Sequence, residues 1–254
     1  MTRVLLLGGT TEAGDIAREL AAAGVTGVFS YAGRTATPIA QPMPTRVGGF
    51  GGVDGLAEYV RREGITHVID ATHPFANQIS SNAIEACGQT NTPLIVYARE
   101  PWVAGPDDKW QHVRTVEQAA AALPDSPARI FLAIGRQHLR AFADQPQHSY
   151  LLRLVDAPEN PLPLPDVEIV LARGPFTTEG DLALLRSRRI THVVARNSGG
   201  EGAKAKLEAA HALGLPVIMI DRPSINRPGL PERRTAQSVE EIMHWLNQSA
   251  CLGV

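Results

Sequence analysis

Short β-branched or apolar runs alternate along this chain with longer stretches that are apolar on one helical face. Val4–Leu7, Gly27–Tyr31, His67–Asp70 and Leu94–Tyr97 are runs of the first kind, and helical stretches are predicted near 12–23, 54–63 and 76–88. Further on, the strands predicted are Ile130–Ala133, Tyr150–Leu154, Val167–Leu171, His192–Ala195 and Val217–Ile220. A run apolar on both faces belongs inside a parallel sheet covered by helices. Strand–helix alternation then requires right-handed crossovers and a doubly wound α/β sheet. Ala157–Pro165 and Arg222–Glu232 read as surface loops. Two more strands are expected near Gln111–Arg114 and Arg233–Gln237, and the pattern leaves open which sheet each one joins.

The alternation repeats itself. Ile65-Thr66-His67-Val68-Ile69 returns as Ile190-Thr191-His192-Val193-Val194, at a spacing of about 125 residues. Around that anchor, Val4–Gly8 resembles Ile130–Gly135, and Gly48-Gly49-Phe50 sits where Arg173-Gly174-Pro175-Phe176 recurs. Pro93–Arg99 matches Pro216–Arg222, and Thr115-Val116-Glu117-Gln118 matches Ser238-Val239-Glu240-Glu241 as a capping-box start to a last helix. Five correspondences in one order describe a tandem pair of similar domains, 1–125 and 126–254.

Composition narrows the class without changing the picture. With 44% hydrophobic and 20% charged residues among 254, the chain can bury ordinary cores. A formal net charge of −2 points to neither nucleic acid nor an anionic membrane as partner. Cys87 and Cys251 lie far apart, so neither a disulfide framework nor a metal site is expected. The first apolar run is too short for a signal peptide, and no stretch approaches the roughly 20 apolar residues that span a bilayer. A cytoplasmic protein is expected.

In open parallel sheets ligands sit beyond the carboxyl ends of the strands, so the candidate chemistry lies in the loops that follow them. After the first strand, Gly8-Gly9-Thr10-Thr11-Glu12-Ala13-Gly14 leads into a helix. Glycines permit a tight turn, the helix start offers N–H groups to a phosphate, and the Thr10 and Thr11 hydroxyls are further donors. Thr10 stands where the second glycine of the strict dinucleotide fingerprint would be. Glu12, an unexpected neighbour for a diphosphate, reads as a cap for backbone N–H groups. The second strand ends in Ser30-Tyr31-Ala32-Gly33-Arg34, with an arginine where an acidic residue would favour NAD. Arg34 suits the 2′-phosphate of NADP, a contact contributing about 1.5–3 kcal/mol. Gly48–Gly52, with Gly49 and Phe50, can lie flat against an adenine or nicotinamide. Asp70–Ala76 brings Ala71, Thr72 and His73 to the mouth of the same site.

Together GGTTEA at 8–13, SYAGR at 30–34, GGFGG at 48–52, DATHPFA at 70–76 and Arg99-x-Pro101-Trp102 resemble the precorrin-6A reductase family of cobalamin biosynthesis. The likeness continues through AIGR at 133–136, RGPF at 173–176 and ARNSGG at 195–200, so it spans nearly the whole chain. It implies two tandem Rossmann-like domains with parallel sheets and a ligand cleft between them, the first binding NADPH and the second the substrate. It also implies reduction of precorrin-6A to precorrin-6B, a hydride and a proton being added across one macrocycle double bond. His73 is the nearest candidate proton donor.

A precorrin carries several carboxylates, and the second half offers Arg136, Arg173, Asn197, Ser198, Gly199, Gly200 and Lys204 at its strand ends. Arg99 and Arg222, equivalent in the repeat, complete the candidate substrate set. The small-molecule tetrapyrrole is thus the expected partner, with other pathway enzymes left open. A short-chain dehydrogenase would need a Tyr-x-x-x-Lys pair, which none of Tyr31, Tyr59, Tyr97 and Tyr150 provides. An NADP-binding regulator or sensor without turnover would use the same first-half loops and stays open as the alternative.

Overall fold

The computed structural model describes residues 1–33, 38–223 and 234–251, with side chains described up to residue 248. Its strands are β1 (Arg3–Leu7), β2 (Thr26–Tyr31), β3 (Thr45–Val47), β4 (His67–Asp70), β5 (Leu94–Tyr97), β6 (Trp110–Val113), β7 (Arg129–Ala133), β8 (Ser149–Leu154), β9 (Val167–Leu171), β10 (His192–Arg196), β11 (Val217–Ile220) and β12 (Arg234–Ala236). Its α-helices are α1 (Thr11–Ala22), α2 (Gly52–Arg62), α3 (Asn77–Thr90), α4 (Val116–Ala121), α5 (Thr178–Ser187), α6 (Ala205–Ala212) and α7 (Val239–Cys251). The strands form two six-stranded parallel sheets, ordered β12-β5-β4-β1-β2-β3 and β6-β11-β10-β7-β8-β9. The fold is therefore two Rossmann-like α/β sheets, each with the strand order of the other.

Apolar residues on both faces of the central strands explain the layering. In β1, Val4 and Leu6 pack with Ile16, Ala17 and Leu20 of α1 and with Ile242, Trp245 and Leu246 of α7. Leu5 and Leu7 face the other way, toward Leu56, Ala57 and Val60 of α2 and Ala83, Ala86 and Cys87 of α3. In the second sheet Phe131, Val193 and Met219 pack with Leu185 of α5 and with Leu207, Ala209 and Ala210 of α6. Each aliphatic side chain so buried stabilises the fold by about 1.5–3 kcal/mol relative to exposure.

The final strand and helix of each half are exchanged. β6 follows β5 in the chain yet pairs in parallel with β11, and β12 follows β11 yet pairs with β5. The compact units are consequently Met1–Arg99 with Ser224–Val254, and Glu100–Pro223, in place of the contiguous halves 1–125 and 126–254. The helices after the exchanged strands start alike. Thr115 accepts from the Gln118 N–H and Ser238 from the Glu241 N–H. The Gln118 and Glu241 side chains reach back to the N–H groups of Arg114 and Gln237, one residue before each cap.

Two features depart from the sequence pattern. β3 is three residues of polar edge strand with no apolar run to mark it. Most of the loop expected over Arg222–Glu232 lies outside the described residues. Among the described residues no helix is long and apolar enough to cross a membrane.

Candidate active site

In each sheet the chain runs outward in one direction from a central strand, β1 or β7, and then returns to that strand's other side. The strand order reverses between β1 and β4 in the first sheet and between β7 and β10 in the second. Such switch points open a crevice at the carboxyl ends of the strands. Between β1 and β4 the crevice is lined by the Gly8–Ala13 turn and the Ala71–Ala76 loop.

The Gly8–Ala13 turn is built for close backbone approach. A Cβ at Gly8 would stand 2.2 Å from Phe29 Cζ, and Gly9 has φ +117, where L side chains are strained. Thr10 caps α1, its Oγ1 accepting from the Ala13 N–H at 3.1 Å while donating to the Ala71 carbonyl at 2.8 Å. The hydroxyl thus ties together the two loops of the crevice, and its proton is committed to that bond rather than to a phosphate. Thr11 opens the helix on the exposed side. Glu12 does not act as a cap: its carboxylate lies 3.4 Å from the Arg99 guanidinium, both largely buried. Burial lowers the Arg99 pKa, with Glu12 opposing that shift. Arg99 therefore belongs to the first unit, beside the glycine turn, whereas the other residues expected to bind substrate belong to the second.

At the end of β2, buried Ser30 accepts a hydrogen bond from Arg46 at 2.8 Å. Gly33 has φ +77 and lies against Gly48, while Arg34 is outside the described residues. Gly49 and Phe50 follow β3 in the GGFGG loop. In the β4 loop, the buried Asp70 carboxylate accepts from both the N–H and the hydroxyl of Thr72, at 3.1 and 2.6 Å. These bonds fix the turn on which Ala71, Thr72 and His73 stand. His73 is exposed, and its Nδ1 accepts from the Phe75 N–H at 3.2 Å, so a neutral ring carries its proton on Nε2. Burial, and then the Asp70 charge, push the Cys87 thiol up to about 12, which makes it an inert core residue.

The second unit repeats the plan with different contents. Arg136, just after β7, and Arg173, after β9, are exposed. Asn197 after β10 is buried and spends its amide on one backbone unit, accepting from the Trp102 N–H at 2.8 Å and donating to the Trp102 carbonyl at 2.9 Å. The Trp102 indole donates to the Gly200 carbonyl at 2.9 Å. Arg222 joins the same clamp, with Nε donating to the Asn197 carbonyl and Nη2 to the Glu100 carbonyl, at 2.8 and 3.0 Å. Gly199, at φ +63, is obligatory here because a Cβ would lie 2.0 Å from the Glu100 carbonyl oxygen. Ser198 is buried beside it. Unlike the turn before α1, Gly200 leads first into the 3₁₀ turn Glu201–Ala203. Lys204 is half-exposed, 3.9 Å from Glu201 and 3.7 Å from Glu208.

The pattern of strand ends did not single out a buried cluster behind this loop. Arg153 at the end of β8 forms a two-point ion pair with buried Asp181 and stacks 3.6 Å over Phe176. Lys206 lies 4.7 Å over the Trp102 ring and donates to the Ala203 carbonyl. The helical spacing of polar residues at 181 and 206 resembles a solvated face, so no periodicity could have revealed that they turn inward.

Two switch-point crevices on parallel sheets, the first of them behind a glycine turn, define a Rossmann-like α/β protein. The chain belongs to the precorrin-6x reductase CbiJ/CobK family, whose model matches residues 3–247. It is 61% identical over 246 residues to a precorrin-6A reductase of Rhodobacter capsulatus, covering 97% of this chain and 96% of that one. A precorrin-6A reductase of Sinorhizobium is 48% identical over 247 residues, 96% of this chain and 94% of the relative. The solved structure of a CobK precorrin-6A reductase matches with a TM-score of 0.93 at 60% identity, covering 98% of this chain and 97% of that one. Membership of a reductase family gives no support to the alternative of a regulator without turnover.

Proposed function

We propose that this chain reduces precorrin-6A to precorrin-6B with NADPH, the first unit binding the cofactor and the second the tetrapyrrole. The observation that carries the cofactor assignment is the Gly8–Ala13 turn at the first switch point. A backbone free of Cβ atoms at Gly8 and Gly9 precedes a twelve-residue helix whose cap leaves the Thr11 and Glu12 N–H groups outside the helical ladder. These residues fit a diphosphate. Ser30, Gly33 and Arg34 would hold the adenosine ribose and its 2′-phosphate, Gly49 and Phe50 the adenine, and Ala71, Thr72 and His73 the nicotinamide half. NADPH, when bound, supplies the hydride.

The residues of the chain bind, orient and exclude water. One carbon of the macrocycle double bond takes the hydride, its neighbour takes a proton, and NADP⁺ leaves. His73 is the proton donor we assign: Nδ1 accepts from the Phe75 N–H, which leaves Nε2–H to donate, and the exposed ring regains the proton from solvent. For the carboxylates of the tetrapyrrole, the outward cations Arg136, Arg173 and Lys204 are the direct contacts. Asn197 and Arg222 serve by holding the Ser198–Gly200 loop in place, and Arg99 serves through Glu12. A biosynthetic reductase drawing on NADPH would work in the cytoplasm.

The test is anaerobic reduction of precorrin-6A with NADPH deuterated at nicotinamide C4. Product one mass unit heavier than that made with unlabelled cofactor is expected from at least one C4 epimer. Product without label from either epimer would refute direct hydride transfer.

A further inference from the structure

The GGFGG loop is glycine-rich for two different reasons. Gly48, Gly51 and Gly52 have φ of +117, +85 and +91, a backbone only glycine adopts readily. Gly49 has no such φ, and a Cβ built on it meets nothing within 4 Å. Neither its φ nor packing among the described residues accounts for its missing side chain. Close approach of something outside the protein does account for it.

A loop of four glycines is expensive to order, and one side chain orders it. Arg46 lies at the centre of β3, paired in register with Ser30 of β2. Its Nη1 donates to Ser30 Oγ at 2.8 Å and to the Gly48 carbonyl at 2.9 Å, and Nη2 donates to the Gly49 carbonyl at 3.0 Å. The guanidinium is stacked 3.8 Å from the Phe50 ring centroid, and Phe50 in turn meets Tyr59 edge-on at 5.1 Å. Because a guanidinium only donates, Ser30 must accept here, which turns its own hydroxyl hydrogen toward another acceptor.

We propose that Arg46 is a positioning residue of the cofactor subsite, holding Ser30, the Gly48–Gly49 backbone and Phe50 as a preformed flat platform for the adenosine half of the dinucleotide. The inference rests on the NADPH reading above. It places the adenosine over β2 and β3, the half of the sheet that takes the first mononucleotide in doubly wound folds. The planar fork is essential: a lysine ammonium keeps the charge yet cannot bridge three acceptors while stacking.

The experiment measures kcat and KM for NADPH and NADH in wild type, Arg46→Met, Arg46→Lys and Gly49→Ala, with thermal melts of each. Gly49→Ala has open space for its methyl, so it should melt like wild type and still bind cofactor poorly. KM should rise about tenfold for both cofactors in all three variants, with kcat within about twofold and no rescue by lysine. Rescue by Arg46→Lys would mean that charge alone matters and would overturn the proposal. Loss confined to NADPH would mark a direct 2′-phosphate contact and overturn it equally, as would unchanged KM in Gly49→Ala. Wild-type protein that binds neither cofactor would remove the NADPH reading itself, an outcome distinct from any of these.

Discussion

Lys206 shows at the scale of one residue how the second unit spends stability on its interior. Its ammonium is buried on α6, over the Trp102 ring, with Arg153 and Asp181 nearby. Burial, and then the Arg153 charge, lower its pKa from 10.5 to about 8, with Asp181 opposing. A folded-state pKa below the unfolded one means that the unfolded chain holds more protons between those values, so stability rises with pH across the window from about 8 to 10.5. At neutral pH the buried charge costs about 3 kcal/mol. Lys206→Met, similar in volume, should therefore be more stable at pH 7 by about 1–3 kcal/mol in urea unfolding. The advantage should shrink as the pH climbs through that window. A variant less stable than wild type at pH 7 would show that the cation earns its place energetically. Neither this residue nor the duty of Asn197 was legible in the sequence. A lone Lys on a helix and an Asn in a glycine loop look the same whether they face solvent, a ligand or a neighbouring backbone. Gly8, Gly9 and the Thr10 cap were legible because local geometry alone demands them.

At the scale of elements, the strands of both sheet centres follow directly from runs apolar on both faces. Helix starts were legible to within about two residues, the usual uncertainty of helix ends. β3 was missed because Thr45-Arg46-Val47 carries no apolar run, while its counterpart Val167–Leu171 does. The partners of β6 and β12 were not legible, since a short edge strand has no pattern that distinguishes one parallel sheet from its near copy. Polar side-chain contacts support the pairing that β6 makes. Asp221 lies 2.7 Å from His112, Asp108 lies 3.0 Å from His211, and Lys109 Nζ donates to the Gly214 carbonyl at 2.9 Å. A fragment spanning 100–223 contains every strand of the second sheet, whereas 126–254 lacks β6 and carries β12 and α7 without a sheet to join. The first fragment should unfold cooperatively in urea when followed by circular dichroism, and the second should not. Cooperative unfolding of 126–254 alone would contradict the exchange.

At the scale of the whole molecule, the internal repeat and the strand-end loops carried most of the functional reading. Two copies of one sheet differ in their loops: glycine turns, one of them bonded to Arg46, follow the strands of the first, and exposed arginines follow those of the second. A net charge of −2 conceals that second set, because its arginines are balanced by acidic residues elsewhere. We propose that this reductase draws on NADPH to reduce precorrin-6A. It is tested most directly by following nicotinamide absorbance anaerobically when the purified protein meets precorrin-6A with NADPH, and separately with NADH. Consumption of NADPH, with NADH consumed only at much higher concentration, is the expected result. Tight binding of NADPH without consumption in the presence of precorrin-6A would contradict the account.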